Sequence, residues 1–135
     1  MGLYDDAIEE LETGIDLIAI GRYRQAIFHF CLSVEQFLKS KLLLIAPLSD
    51  LEFSHDVINI YNELRYTYKS TKNMASQIKL CRKYFNESRY SNSNRDIYTK
   101  EFAEQFLQYA NDVKSYIDNE CAATLDDLVD KFNKH

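Results

Sequence analysis

Glycine and proline are scarce in this chain, three and one in 135 residues. So few turn formers exclude the many tight turns of an all-β sandwich or barrel and leave a small number of long helices. Tryptophan is absent, and the three cysteines, Cys31, Cys81 and Cys121, are far apart with no CxxC pair. A zinc site is therefore not expected. The three histidines, His29, His55 and His135, have no spaced cysteine or carboxylate partners, so no metal is expected there either. The only glycines are Gly2, Gly14 and Gly21, which excludes a phosphate-binding glycine loop. No cofactor is expected. The longest apolar run, 42–47, is far too short to cross a membrane. The acidic start lacks the apolar segment of a secretory signal, and unpaired cysteines fit a reducing compartment. A cytoplasmic location is the expectation.

What remains is ordinary for a soluble globule, 46% hydrophobic and 27% charged. The length suits a single domain over 1–135, large enough to bury about two-thirds of its unfolded surface. Ten tyrosines and eight phenylalanines make the chain aromatic-rich. Rings with a polar tip suit half-buried helix seams and contact surfaces. Charge is unevenly placed. Residues 1–64 hold eleven acids and four bases, residues 65–100 two acids and nine bases, and residues 101–135 eight acids and three bases. The basic island at 65–100 either faces phosphate or neutralises the acidic helices of the same fold.

Apolar residues recur at helical spacing through most of the chain. Ala7, Ile8, Leu11, Ile15 and Ile18 predict a helix over 4–20, with acids loading its first turns and Gly21 as its stop. Tyr23, Ala26, Ile27, Phe30, Val34, Phe37, Leu38 and Leu42 predict a long helix over 22–46, ended by Pro47. Ser49 to Glu52 has capping-box spacing and suggests a short turn. Ser54 is the expected cap of a helix over 55–69. Met74, Ile78, Cys81 and Phe85 mark another over 74–88. Thr99 is the expected cap of a fifth, with Phe102, Phe106, Tyr109, Val113 and Tyr116 along one face. Leu125, Leu128, Val129 and Phe132 suggest a short sixth helix. The fold class is all-α, an antiparallel up-and-down bundle of about five main helices.

The residues that stand out chemically are Tyr84-Phe85-Asn86-Glu87-Ser88-Arg89-Tyr90, followed by the polar stretch 91–96. An arginine lies between aromatics where a helical pattern stops. A guanidinium there can bond carboxylate or phosphate through two donors, with Tyr84 and Tyr90 packing beside it or stacking on a base. The alternative is an arginine that holds the end of its own helix or a neighbouring one. Arg82, Lys83, Arg89, Tyr90 and Arg95 are the candidate nucleotide- or partner-binding residues.

Four pieces in order resemble the HEPN domain, a helical bundle common in prokaryotes. Gly21-Arg22-Tyr23-Arg24-Gln25-Ala26 resembles the family's short gap before a long helix. Val34-Glu35-Gln36-Phe37-Leu38-Lys39 is similar to its A-E-x-x-L-K centre, Ser54-His55-Asp56-Val57 to its H-x-L opening, and residues 84–90 to its Y-x-x-x-R-Y helix end. The match spans about residues 4–117. The chain departs from the pattern at Val34 and Ser88, where the family often has alanine, and at Ser91, where it often has proline. The resemblance implies one of two activities. Ribonuclease members carry an arginine, four to six residues and a histidine late in the bundle, and two chains commonly meet at that motif. Other members lack it and act as nucleotide- or protein-binding partners, many encoded beside a minimal nucleotidyltransferase. Here Arg89 and Arg95 have no histidine in the six residues that follow. Arg24 and His29 do have the spacing, but in the second helix. The resemblance thus implies a non-catalytic subunit, binding nucleotide, RNA or a nucleotidyltransferase partner, in a toxin–antitoxin or defence setting, as a homodimer or heteromer. The alternative is a metal-independent endoribonuclease toxin using Arg24 and His29.

Overall fold

A computed structural model describes residues 2–45, 56–70, 72–90 and 95–121. Among them are five α-helices, one 3-10 turn and no strand: α1 (Leu3–Ala19), α2 (Tyr23–Ile45), α3 (Val57–Tyr68), α4 (Ala75–Glu87), the turn Arg95–Ile97 and α5 (Lys100–Asn119). The all-α expectation is met, and all five main helices lie where the apolar stripes place them. Pro47, the 49–52 turn, Ser54, His55, the 91–94 loop and the suggested tail helix lie outside the described residues.

The helix ends follow local chemistry. Gly21 adopts φ +76°, the left-handed position that closes α1. The Arg22 N–H bonds the Leu17 carbonyl at 2.8 Å and the Gly21 N–H bonds Ile18 at 3.0 Å, the two bonds of a Schellman stop. Thr99 caps α5, accepting from the Phe102 N–H at 3.1 Å as expected. The cap of α3 is Asp56, which accepts from the Ile58 N–H at 3.0 Å, and not Ser54. A carboxylate two residues nearer the apolar stripe reaches the first free amides, so the helix opens later than the serine suggests.

α2 is the central helix and packs on all four others. Its register against α1 is set by Tyr4 on Phe37, by the Ser33 hydroxyl donating to the Ala7 carbonyl at 2.9 Å, and by His29 on Glu10. These pairs run in opposite directions along the two helices, which makes them antiparallel. Arg24 with Ser88 and Phe28 with Phe85 do the same for α2 and α4. Asp56 with Arg82 and Tyr61 with Met74 do it for α3 and α4. α2 and α3 both oppose α4 and so point the same way. The core holds Phe30, Val34, Phe37, Leu38, Ile60, Tyr61, Leu64, Ile78, Phe106, Val113 and Tyr116, all essentially sealed from solvent. α1 packs on α2 and α5, and its Asp5, Asp6, Glu9, Glu12 and Asp16 stay exposed.

Candidate functional site

One face of α4 carries Arg82, Phe85 and Asn86, and Arg89 follows in the turn just past its end, spaced i, i+3, i+4 and i+7. That spacing aligns four side chains along a helix. α2 presents Cys31 and Glu35 opposite them, one turn apart, and Val57 closes one end from the start of α3. Together with Cys81 these residues line a groove of about 460 Å³. Its floor is apolar, made of Val57 and two thiols that are each 2% exposed. Burial, then contact with Cys81, pushes the Cys31 thiol well above its ordinary range. It stays protonated and behaves as a small apolar group.

Arg89 sits on the rim. Its guanidinium carbon lies 4.7 Å from the centroid of the Phe85 ring, and its Nη2 donates to Asn86 Oδ1 at 2.9 Å. The Phe85 ring also stacks on Phe28, centroids 5.4 Å apart and planes 24° from parallel. Phe85 thus contacts both a ring and a cation. Among the described residues no carboxylate pairs with Arg89, which leaves most of its five N–H donors for another group. Arg82 is different. Its Nη1 reaches both oxygens of Asp56, at 3.1 and 3.3 Å, so part of its charge is already matched. That pair is half exposed and contributes little to stability.

The expected site residues separate in the structure. Arg82 and Arg89 share the groove. Lys83 is one residue round the helix, exposed, with Nζ 5.4 Å from the Tyr84 centroid. Tyr90 is 58% exposed beyond the end of α4 and does not line the groove. The backbone of Arg95 begins the 3-10 turn; its side chain lies outside the described residues. Tyr84 does not pack beside Arg89. Five residues of helix turn it about 140° away, into edge contacts with Phe102 and Phe106 at 5.2 and 5.5 Å. Phe85, four residues before Arg89, takes the place expected of Tyr84.

Arg24 and His29 are not brought together. Arg24 Nη1 donates to the Ser88 carbonyl at 2.7 Å, toward α4. His29 Nδ1 lies 2.5 Å from Glu10 Oε2, toward α1. Five residues along a helix set them on different sides, each engaged with a different helix. Sequence reasoning missed Glu35, Asn86 and the two groove cysteines as members of one site. The signals were the i, i+3, i+4, i+7 run on α4 and the Cys31/Glu35 pair one turn apart on α2.

The acidic α1 packs on α2 and α5, while Arg82 and Arg89 line the groove and Lys83 is exposed beside it. Among the described residues, no group of three histidines, cysteines or carboxylates is placed to hold a metal, and no helix is long and apolar enough to cross a membrane.

A family model described as the HEPN domain matches residues 2–120. The chain belongs to the HEPN domain family. The match covers all five α-helices and every residue of the groove. HEPN domains are associated with nucleotide or RNA binding and with ribonuclease activity. No curated protein and no solved structure matches the chain.

Proposed function

We propose that this HEPN domain is a non-catalytic subunit whose α2–α3–α4 groove binds a nucleotide, or an anionic group of a partner, and that it acts with a minimal nucleotidyltransferase in a toxin–antitoxin or defence setting. The observation that carries the reading is the state of Arg89. Its guanidinium is exposed on a concave surface, braced by Asn86 and Phe85, and unmatched by any described carboxylate. A planar cation held this way offers paired donors to a phosphate.

The ribonuclease alternative needs a general base beside the attacking hydroxyl. Arg89 and Arg95 are followed by no histidine within six residues. Arg24 and His29 are engaged on different helices, which favours the non-catalytic reading.

The test is nucleotide binding followed by fluorescence anisotropy, with intact RNA incubated in EDTA as its companion. Arg89→Ala should weaken nucleotide binding about tenfold, the equivalent of one charge-assisted hydrogen bond, and RNA should remain whole. Robust cleavage, lost in His29→Ala or Arg89→Ala, would replace this reading with the endoribonuclease one. The aromatic-rich composition also supports a homodimer or heteromer. Sedimentation should then give a species larger than the 15.9 kDa chain, alone or with the nucleotidyltransferase.

A further inference from the structure

Glu35 is the carboxylate that lines the groove. Its side chain is only 14% exposed, and the nearest cation, Lys39 Nζ one turn along α2, stands 4.0 Å away. That is beyond hydrogen-bond reach. Among the described residues nothing donates a hydrogen bond to the Glu35 carboxylate. Lys39 offsets the charge of Glu35, and the Glu35 oxygens are not sealed from solvent, so they keep acceptor capacity for a ligand in the groove. Glu35 lines the same cavity whose rim carries Arg89. The groove thus has an acceptor-only group and a donor-only group among its lining residues, together with two thiols and Val57.

We propose that the groove selects a guanine nucleotide, with the base edge at Glu35 and the phosphate at Arg89. The inference rests on the nucleotide reading above and specifies its ligand. The required ligand brings two adjacent donors to a carboxylate and an anion to a guanidinium. Guanine presents N1–H and an exocyclic amino group side by side, one for each carboxylate oxygen. Adenine and cytosine place a ring-nitrogen acceptor next to their amino group, so one lone pair would face the carboxylate. Uracil offers a single N–H between two carbonyls. A site whose buried polar group is satisfied by one ligand rejects ligands that leave it unpaired. The cavity, about 460 Å³, falls in the range of small-molecule sites, roughly 300–1,000 Å³. The Phe85 ring already contacts Phe28 and Arg89. The base is held by its edge and by the apolar floor.

The ligand source is either a free nucleotide or the end of an RNA chain, and the two share this chemistry. The experiment is calorimetric titration of the whole protein with GMP, AMP, CMP and UMP, on wild type, Glu35→Gln and Arg89→Ala. GMP should bind about tenfold more tightly than the others, the factor expected from one satisfied polar pair. Glu35→Gln should erase or invert that preference, since a glutamine amide pairs a donor with an acceptor and suits adenine. Its melting temperature should not fall. Arg89→Ala should weaken all four ligands together. Displacement of bound GMP by a short RNA with a 5′-phosphoguanosine end, but not by its 5′-adenosine counterpart, assigns the site to RNA ends. No displacement assigns it to free nucleotide. If none of the four binds, the nucleotide reading and this inference fail together. If all four bind within about twofold, or Glu35→Gln keeps the guanine preference, the nucleotide reading stands and the guanine assignment is overturned.

Discussion

The Arg24 guanidinium donates a 2.7 Å hydrogen bond to the backbone carbonyl of Ser88, joining the start of α2 to the end of α4. The last carbonyls of a helix have no partner within it, and a cation there also meets the negative end of the helix dipole. Ser88 is buried, and its hydroxyl turns back to the Tyr84 carbonyl. The task of holding the end of the fourth helix, expected of Arg89, belongs to Arg24. Arg24→Ala should cost about 1–3 kcal/mol, the range for a charge-assisted bond to a part-buried group. Arg24→Lys should recover only part, because a single ammonium replaces the rigid fork. An unchanged melting temperature in Arg24→Ala would remove this anchor from the account.

Arg89 should behave in the opposite way. Its contacts stay local, on Asn86 and Phe85 in the last turn of α4. An exposed cation over a ring contributes about 0.5–1 kcal/mol, so Arg89→Ala should barely shift the thermal transition while lowering ligand affinity. Arg89→Lys should keep the long-range attraction and lose the bidentate geometry. A loss of stability as large as that of Arg24→Ala would show that Arg89 is structural.

This contrast marks how far a sequence reading reaches. Gly21, Thr99 and the apolar stripes act within one or two turns, so the helices and two of their ends are legible from spacing. The groove pairs α2 with α4 across about fifty residues, and no local pattern states that pairing. Glu35 in isolation is an ordinary glutamate in a long helix, and its significance arises from the groove that it lines together with Arg89. Arg24 has the spacing of a catalytic residue, but only the packed helices show that it faces Ser88 and not His29. Tyr84 and Phe85 are adjacent, yet their 100° separation sends one to the aromatic core and the other under Arg89.

Gly14 tests the tightness of the α1–α2 seam. It is buried in mid-helix, and a Cβ at that position would run into the Phe30 ring, well inside van der Waals contact. Phe30 is itself fully buried and cannot swing clear. Gly14→Ala would gain up to about 1 kcal/mol in helix propensity. Overpacking should outweigh it, at about 1–3 kcal/mol. A net loss of stability in chemical denaturation is the expected result, and a gain would mean that the seam has room.

Tyr61 closes the α3–α4 hairpin from inside. Its hydroxyl donates to the Lys72 carbonyl at 2.7 Å and accepts from the Met74 N–H at 2.9 Å. The ring is fully buried and lies 5.7 Å from that of Tyr116. Tyr61→Phe keeps the packing and leaves a buried amide without its acceptor. The cost should be about 1–3 kcal/mol, with faster amide exchange at Met74 in Tyr61→Phe than in wild type. Equal protection at Met74 in both proteins would show that another group satisfies it.

The cysteines give a prediction whose sign follows from their burial. Cys31, Cys81 and Cys121 are free and buried. Burial, then contact with Cys81, raises the Cys31 thiol well above 9.0, and burial pushes Cys121 up to about 11. Only the thiolate attacks an alkylating reagent. Native protein at neutral pH should therefore take up almost no iodoacetamide, and unfolded protein should take up three equivalents, as read by intact mass. The same shifts set a pH dependence. Above the ordinary thiol value the unfolded chain has released these protons while the folded chain still holds them. The unfolded state then binds fewer protons, and stability falls as pH rises. Their contribution is complete below about pH 8 and declines between the unfolded and folded values. Melting temperature should drop from neutral pH toward pH 10 more steeply in wild type than in Cys31→Ala. Parallel slopes in the two proteins, or rapid labelling of the native state, would show that Cys31 ionises as freely when folded as when unfolded.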